Sequence, residues 1–219
     1  MPRPVQILAT VPTREGALEL RQRGDDFLIV VGGRVLMTSS HRRSEEALAN
    51  LACARLAGRA APRMLIGGLG MAFTLRAALD ALPADACVVV VELTGAVVDW
   101  CRGPLAALTG GAVADSRVRV DVADVARVIA GAAPGAYDAI VLDLYEGPNA
   151  ATQRADDPFY GASALARSHA ALAPGGVLAI WAEDPDAAFE RRFAAAGFEV
   201  STHREGRGGR RHIVYLGVT

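Results

Sequence analysis

Met64-Leu-Ile-Gly-Gly-Leu-Gly-Met-Ala-Phe-Thr-Leu75 is an apolar run that ends in closely spaced glycines and then passes into a helix-forming run. That order reads as a buried strand, a tight turn and a helix, the first unit of a dinucleotide-type α/β fold. The next apolar run, Val88-Val-Val-Val-Glu92, ends in a carboxylate 22 residues after Gly70. There it can accept hydrogen bonds from both hydroxyls of an adenosine ribose. Turn and carboxylate together specify a nucleoside-bearing cofactor, with Gly67, Gly68, Gly70 and Glu92 as its binding residues. A pyrophosphate site shows Gly-x-Gly-x-x-Gly, and aligning Gly68 and Gly70 with its first two glycines puts Phe73 at the third, where close helix–strand packing needs glycine. A dinucleotide is therefore disfavoured. S-adenosylmethionine and its relatives carry no phosphates, so they need the turn and the carboxylate alone. A ligand-free strand–helix turn is the competing reading of the glycines, and the position of Glu92 counts against it.

Outward from this stretch, short apolar strands alternate with helices from Arg63 onward. Strands are expected at Met64–Gly67, Val88–Glu92, Val118–Val120, Ala139–Asp143 and Gly176–Trp181. Helices are expected from the glycine turn to about Leu82 and at Gly95–Leu108, Val125–Ala130, Phe159–Leu172 and Pro185–Ala196. This alternation implies a mostly parallel sheet covered on both faces. Two late strands, Phe198–Thr202 and Arg211–Val218, joined through a Gly- and Arg-rich turn, form a hairpin and add an antiparallel C-terminal strand. The result is a Rossmann-like, class I methyltransferase-type α/β fold. Before it, Ala17–Arg23, Phe27–Val31 and Arg34–Met37, separated by glycine turns, read as a small N-terminal β appendage. The boundary is expected near residue 43, with an appendage over 1–43 and a cofactor-binding domain over 44–219. A helix over Ser44–Leu56 would then open with Ser44 as its N-cap.

The chain has 219 residues and a net charge of −1, and all 23 of its basic residues are arginine. Lysine Schiff-base chemistry and a P-loop lysine are excluded, and nothing in the overall charge points to nucleic acid. No apolar run approaches the ~20 residues of a membrane span. Cys53, Cys87 and Cys101 are odd in number and lack paired spacing, so they read as reduced core thiols in a cytoplasmic protein. No His, Cys, Asp or Glu cluster has metal-ligand spacing, so no metal is expected.

In open α/β sheets ligands lie outside the carboxyl ends of the strands. Besides the glycines and Glu92, those ends carry Asp121, Asp124 and Asp143. Asp124 suits the exocyclic amine of adenine, with the backbone N–H of Val125 meeting a ring nitrogen; alternatively it only caps the helix it opens. Asp143 is the candidate for chemistry. It ends a buried strand, and it could orient an amine nucleophile and take its proton, since an alkyl amine with a pKa on the order of 10 is mostly protonated at neutral pH. Glu146 supplies a second negative group and Tyr145 a pocket wall, unless both belong to a solvated loop. The segment from Glu146 to Asp157, rich in Gly, Pro and Asn, is expected to close over substrate. His41 lies between appendage and main domain and would face the cleft, whereas His169, His203 and His212 read as surface groups.

Taken together, the β appendage with its Gly32-Gly-Arg-Val core, Ile66-Gly-Gly-Leu-Gly, Val91-Glu92, Ala123-Asp124, Leu142-Asp143, Phe159-Tyr160 and Leu172-Ala-Pro-Gly-Gly-Val177 resemble the spermidine synthases, the polyamine aminopropyltransferases. The resemblance spans nearly the whole chain. It implies a transferase that binds S-adenosylmethionine or its decarboxylated form and alkylates a small nucleophile, an amine, as its partner, with a homodimer possible and no nucleic-acid or membrane partner. It also exposes departures. The family's glycine motif carries an acid that holds the donor's aminopropyl amine, where this chain has Leu69. The family's polyamine-binding Tyr-His-Glu becomes Ser44-Glu45-Glu46, with Glu46 as the retained acid. Its Asp-x-x-Asp loop becomes Asp143-Leu-Tyr-Glu146. Methyl transfer from intact S-adenosylmethionine and a non-catalytic nucleoside-binding or scaffold role are the rival readings.

Overall fold

The structure is a computed structural model that describes residues 4–145, 147–149, 154, 156–205 and 212–219. Four antiparallel strands, β1 (Val5–Thr13), β2 (Gly16–Arg23), β3 (Asp26–Val31) and β4 (Arg34–Thr38), form one sheet in sequence order. The β3–β4 hairpin turns on Gly32 and Gly33, both at positive φ, the backbone that a two-residue turn between twisted strands requires. Strand β1 goes beyond the expected meander. It is an edge strand, mostly exposed, with Pro12 near its end, so neither an apolar alternation nor a turn signal marks it.

The α/β body follows: α1 (Arg43–Ala54), β5 (Arg63–Gly67), α2 (Phe73–Ala81), β6 (Cys87–Glu92), α3 (Gly95–Arg102), β7 (Val118–Val122), α4 (Val125–Ala130), β8 (Tyr137–Leu142), α5 (Ala162–Ala171), β9 (Leu172–Ala182), α6 (Ala187–Ala195), β10 (Glu199–Glu205) and β11 (His212–Val218). The seven strands are ordered β10-β11-β9-β8-β5-β6-β7. Strands β5 to β9 are parallel, while β11 runs antiparallel to both β9 and β10. This is the expected Rossmann-like sheet with its antiparallel finish. The chain leaves β5 toward β6 and β7, then returns to β8 on the other side of β5. That reversal opens the crevice in which such folds bind ligands.

The pleat divides the core. Met64, Ile66, Val88, Val90, Val141, Val177, Ala179 and Val214 face α1, α2 and α3, while Leu65, Val89, Val91, Ile140, Leu142, Leu178, Ile180 and Tyr215 face α4, α5 and α6. The first of these cores continues without a break into Leu18, Leu20, Ile29 and Val31 of β2 and β3. Apolar burial on this scale, ~25 cal/mol per Å², holds the small sheet against the body.

Several boundaries differ from expectation. Strand β9 begins at Leu172, four residues before Gly176, and three helices also differ. Helix α1 is capped at Arg42 and begins at Arg43, while the Ser44 hydroxyl is turned to the Glu45 carboxylate at 2.7 Å. Helix α3 stops at Arg102, because Pro104 cannot continue it, and a 3₁₀ turn over Ala106–Thr109 carries the chain onward. Helix α5 starts at Ala162, since the Phe159 and Tyr160 amides are already bound by Asp157 Oδ1 in a turn of their own. No helix among the described residues is long and apolar enough to cross a membrane.

Candidate active site

The glycine turn after β5 is built by close approach. Gly68 adopts φ +85°, and a Cβ there would collide with the carbonyl oxygen of Asp143; only glycine lets the two strand ends meet. Backbone bonds tie the turn down, from Gly68 N–H to Val91 O and from Asp143 N–H to Gly67 O, each 2.9 Å. Val125 packs against Gly67 from below, at the foot of α4. From above, the Met37 sulfur of β4 sits over Gly70, and the Cys101 thiol donates to the Gly70 carbonyl at 3.2 Å. The β appendage therefore roofs the glycine turn.

Glu92 stands where the sequence places it, but its carboxylate is also part of the frame. Oε2 accepts from the Leu69 N–H at 2.9 Å and Oε1 from the Thr94 N–H at 2.8 Å. The residue is 9% exposed. Burial pushes its pKa up, opposed by the amides of Leu69, Thr94, Leu93 and Gly70. Each oxygen retains a lone pair for a ribose hydroxyl. Leu93 beside it is 73% exposed and Val122 on the adjoining strand end 59%, an apolar margin suited to a base. These residues could hold an adenosyl group. Leu69, at 4% exposure, is folded into the core, so nothing ionic stands at the position where the resembling family carries its acid.

Asp124 caps α4: its Oδ1 accepts the Ala126 N–H at 2.9 Å. The capping reading holds, with Oδ2 3.9 Å from Arg127. Asp121 is paired with Arg119 at the surface.

Asp143 is the centre of the polar cluster. The Thr74 hydroxyl of α2 donates to its Oδ2 at 2.5 Å and lies 3.5 Å from the carbonyl of Glu45 on α1. Burial beneath these elements pushes the Asp143 pKa up to about 7; the Glu45 charge pushes the same way, and the Thr74 bond opposes them. A carboxyl that titrates near neutrality in a cleft is the kind of group that moves protons. Nothing in the sequence marks Thr74 or sets Glu45 above Glu46, because each begins a helix and only the packing of α1 and α2 turns them toward β8. Tyr145, 37% exposed, lies under the Arg34 guanidinium, 4.5 Å from ring centre. Half of the expected covering segment up to Asp157, namely Glu146, 150–153 and 155, lies outside the described residues.

All three histidines read as surface groups are partly buried, His169 with its ring centre 5.0 Å from that of Phe198. His212 is partly buried and stacks on Trp181, with ring centres 4.9 Å apart. His41 is exposed and bonded locally to Thr38 and Ser40. Among the described residues no group of three or more His, Cys, Asp or Glu could hold a metal ion.

A Rossmann-like sheet with a roofing N-terminal β sheet and a strand-end carboxylate defines a class with solved members. The spermidine synthase from Thermotoga maritima superposes with a TM-score of 0.79, covering 97% of this chain and 72% of its own, at 18% identity. A spermidine synthase in complex with the transition state analogue AdoDATO gives 0.78 with the same coverages at 17% identity. A probable spermidine synthase from Corynebacterium glutamicum ATCC 13032 gives 0.68, covering 97% and 80%, at 20% identity. No family model and no curated protein matches the sequence. The chain thus has a spermidine synthase-like fold, and its chemistry must be argued from its own residues.

Proposed function

We propose that this chain is a spermidine synthase-like transferase that binds S-adenosylmethionine or its decarboxylated form and alkylates a small amine. One observation carries the reading: Asp143, with its pKa raised toward neutrality, sits against the glycine turn where β5 and β8 part. The donor would supply an electrophilic carbon on a sulfonium. The amine nitrogen forms the new N–C bond, the C–S bond breaks, and the sulfur leaves as a neutral thioether. Asp143 accepts the proton that the amine must shed, and Thr74 fixes the carboxylate's orientation while it does so. Glu92 would hold the ribose and keep the glycine turn in register, and Leu93 and Val122 would flank the base, with Asp124 behind them at the head of α4. Most of the acceleration then comes from positioning.

The buried Leu69 favours a second reading, methyl transfer from intact S-adenosylmethionine, whose tail carries its own carboxylate and does not require an acid from the protein. The same substitution, with the loss of the family's distal Tyr-His-Glu, argues against putrescine as acceptor, since an unpaired ammonium in such a site is costly.

The test is incubation of the protein with each donor and a panel of amines, with mass-spectrometric detection of the alkylated product. Product from parent protein and none from Asp143→Asn is expected. Absence of any product with either donor, from protein that binds methylthioadenosine, would establish the non-catalytic nucleoside-binding role instead. Efficient spermidine formation from putrescine would refute the acceptor argument.

A further inference from the structure

Strands β8 and β9 run parallel with Val141 beside Ala179 and Leu142 beside Ile180. Continuing that register sets Trp181 beside Asp143, both on the face that carries Thr74 and α1. Trp181 in turn pairs with Val214 of β11, and His212, two residues before it, shares the face and stacks on the indole at a 32° tilt. Asp143, Trp181 and His212 therefore form a row across three neighbouring strands at the carboxyl edge of the sheet. After Asp143 the chain comes back against the end of β9, where Gly147 lies so close to the Trp181 carbonyl and Ala182 Cα that no Cβ would fit.

Two atoms of this row are unexplained. The Trp181 Nε1 and His212 Nδ1 nitrogens are both buried, and neither has a hydrogen-bond partner among the described residues. Buried polar groups are rarely left so. Indole N–H is a donor only, which a diamine cannot satisfy: an ammonium has protons to give and no lone pair to offer. An oxygen acceptor is required, and a carboxylate offers two oxygens, one for each nitrogen of the stacked pair. Strand spacing of ~4.8 Å puts His212 about 10 Å from Asp143 in backbone terms, so a short chain with an amine at one end and a carboxylate at the other can bridge them.

Building on the transferase reading, we infer that the acceptor is an amine bearing a carboxylate, its amine at Asp143 and its carboxylate docked on Trp181 Nε1 and His212 Nδ1. The Nδ1-protonated form of His212 gives the second donor. The Trp181–His212 stack then selects amino-acid-like amines over diamines of equal length.

The indole N–H resonance of Trp181, assigned with Trp181→Phe, reads this directly in the full-length protein, with and without methylthioadenosine. The matched probes are 4-aminobutyrate and 1,4-diaminobutane. The resonance is expected to shift with 4-aminobutyrate and stay in place with the diamine. Trp181→Phe and His212→Phe, which keep the stacked rings, should each weaken 4-aminobutyrate binding about ten-fold, the loss of one charge-assisted bond. Equal shifts with both probes, or no shift with either at high concentration, would overturn the inference, and the parent titration decides this even if a variant fails to fold. A shift with 4-aminobutyrate but no alkylation of any amine leaves the docking pair standing and removes the transferase reading. Alkylation with the indole unmoved does the reverse.

Discussion

Replacing Asp143 by asparagine should make the protein more stable in mild alkali and leave it nearly unchanged in acid. Between the ordinary aspartate pKa of about 3.9 and the raised value of about 7, the folded state holds a proton that the unfolded chain has released. The unfolded state then binds about one proton fewer, so stability falls as pH rises, by about 1.4 kcal/mol per pH unit. Across the three-unit window that amounts to about 4 kcal/mol for a charge sealed from water. Asp143 still reaches solvent in part, and screening halves the figure to about 2 kcal/mol. Asparagine keeps an oxygen for the Thr74 hydroxyl and has no charge to bury, so it escapes the loss. Urea denaturation at pH 5 and pH 8.5 measures this: the difference in midpoint between the Asp143→Asn variant and the parent should grow by about 1 M between the two. The same ionisation should make alkylation by the parent rise through pH 7, where Asp143 becomes a base. If parent and variant lose or gain stability in parallel across the range, Asp143 titrates as an ordinary surface acid and the argument for it as proton acceptor fails.

Gly68→Ala should cost about 2–4 kcal/mol, because φ +85° is unfavourable for alanine and the new Cβ meets the Asp143 carbonyl. Gly33→Ala, at the same φ with open space around it, should cost only about 1 kcal/mol. Equal losses of melting temperature would mean that the contact with Asp143 contributes nothing. Asp138→Asn should destabilise by about 2–3 kcal/mol at pH 7, since Arg59 and Arg63 both converge on this carboxylate. Its pKa lies below the ordinary range because those contacts outweigh the effect of burial. The benefit of the charge is therefore present above about pH 4 and lost as the pH falls through the folded pKa, and a gap between variant and parent that persists undiminished at pH 2.5 would contradict the assignment.

What was legible in the sequence follows from how locally each feature is determined. Val88-Val-Val-Val and Ala139-Ile-Val-Leu announce strands buried on both faces, and a glycine turn between strand and helix announces the crossover, because a few neighbouring residues settle each. Strand β1 is invisible in the same terms: it is a half-solvated edge held by pairing with β2, so nothing in its own composition demands burial. The site divides in the same way. Asp143 and Glu92 were readable because strand ends point to the ligand crevice. The positions of Glu45, Thr74, Trp181 and His212 beside Asp143 were not, since they come from the packing of α1 and α2 and from a strand order, β11 beside β9 beside β8, that sequence order does not reveal. The surface reading of His212 failed for that reason: a polar residue next to an Arg- and Gly-rich turn gives no hint that a tryptophan thirty-one positions earlier lies against its ring.

Two carboxylates on one chain segment show how the fold separates stability from chemistry. Asp138 and Asp143 lie at opposite ends of β8, the first buried and the second partly so, yet their pKa values move in opposite directions. At the amino end, Arg59, Arg63 and the Arg63 N–H surround Asp138 and hold it ionised, fastening β8 to β5. At the carboxyl end no cation among the described residues is bonded to Asp143; its neighbours are a hydroxyl and another acid, Glu45, so burial prevails and the proton is retained. The difference follows from the direction of a parallel sheet. Amino ends of the strands receive the turns that close the crossovers and can be fastened with ion pairs, while carboxyl ends open into the crevice where the order of strands reverses. A destabilised acid at Asp143 costs the fold about 2 kcal/mol by the pH linkage above, and the clamp at Asp138 together with the continuous apolar core under α1 and α2 offsets it. An acid that the protein cannot easily keep charged at neutral pH is thus the one it places against the glycine turn, where the proposed reaction needs a proton acceptor.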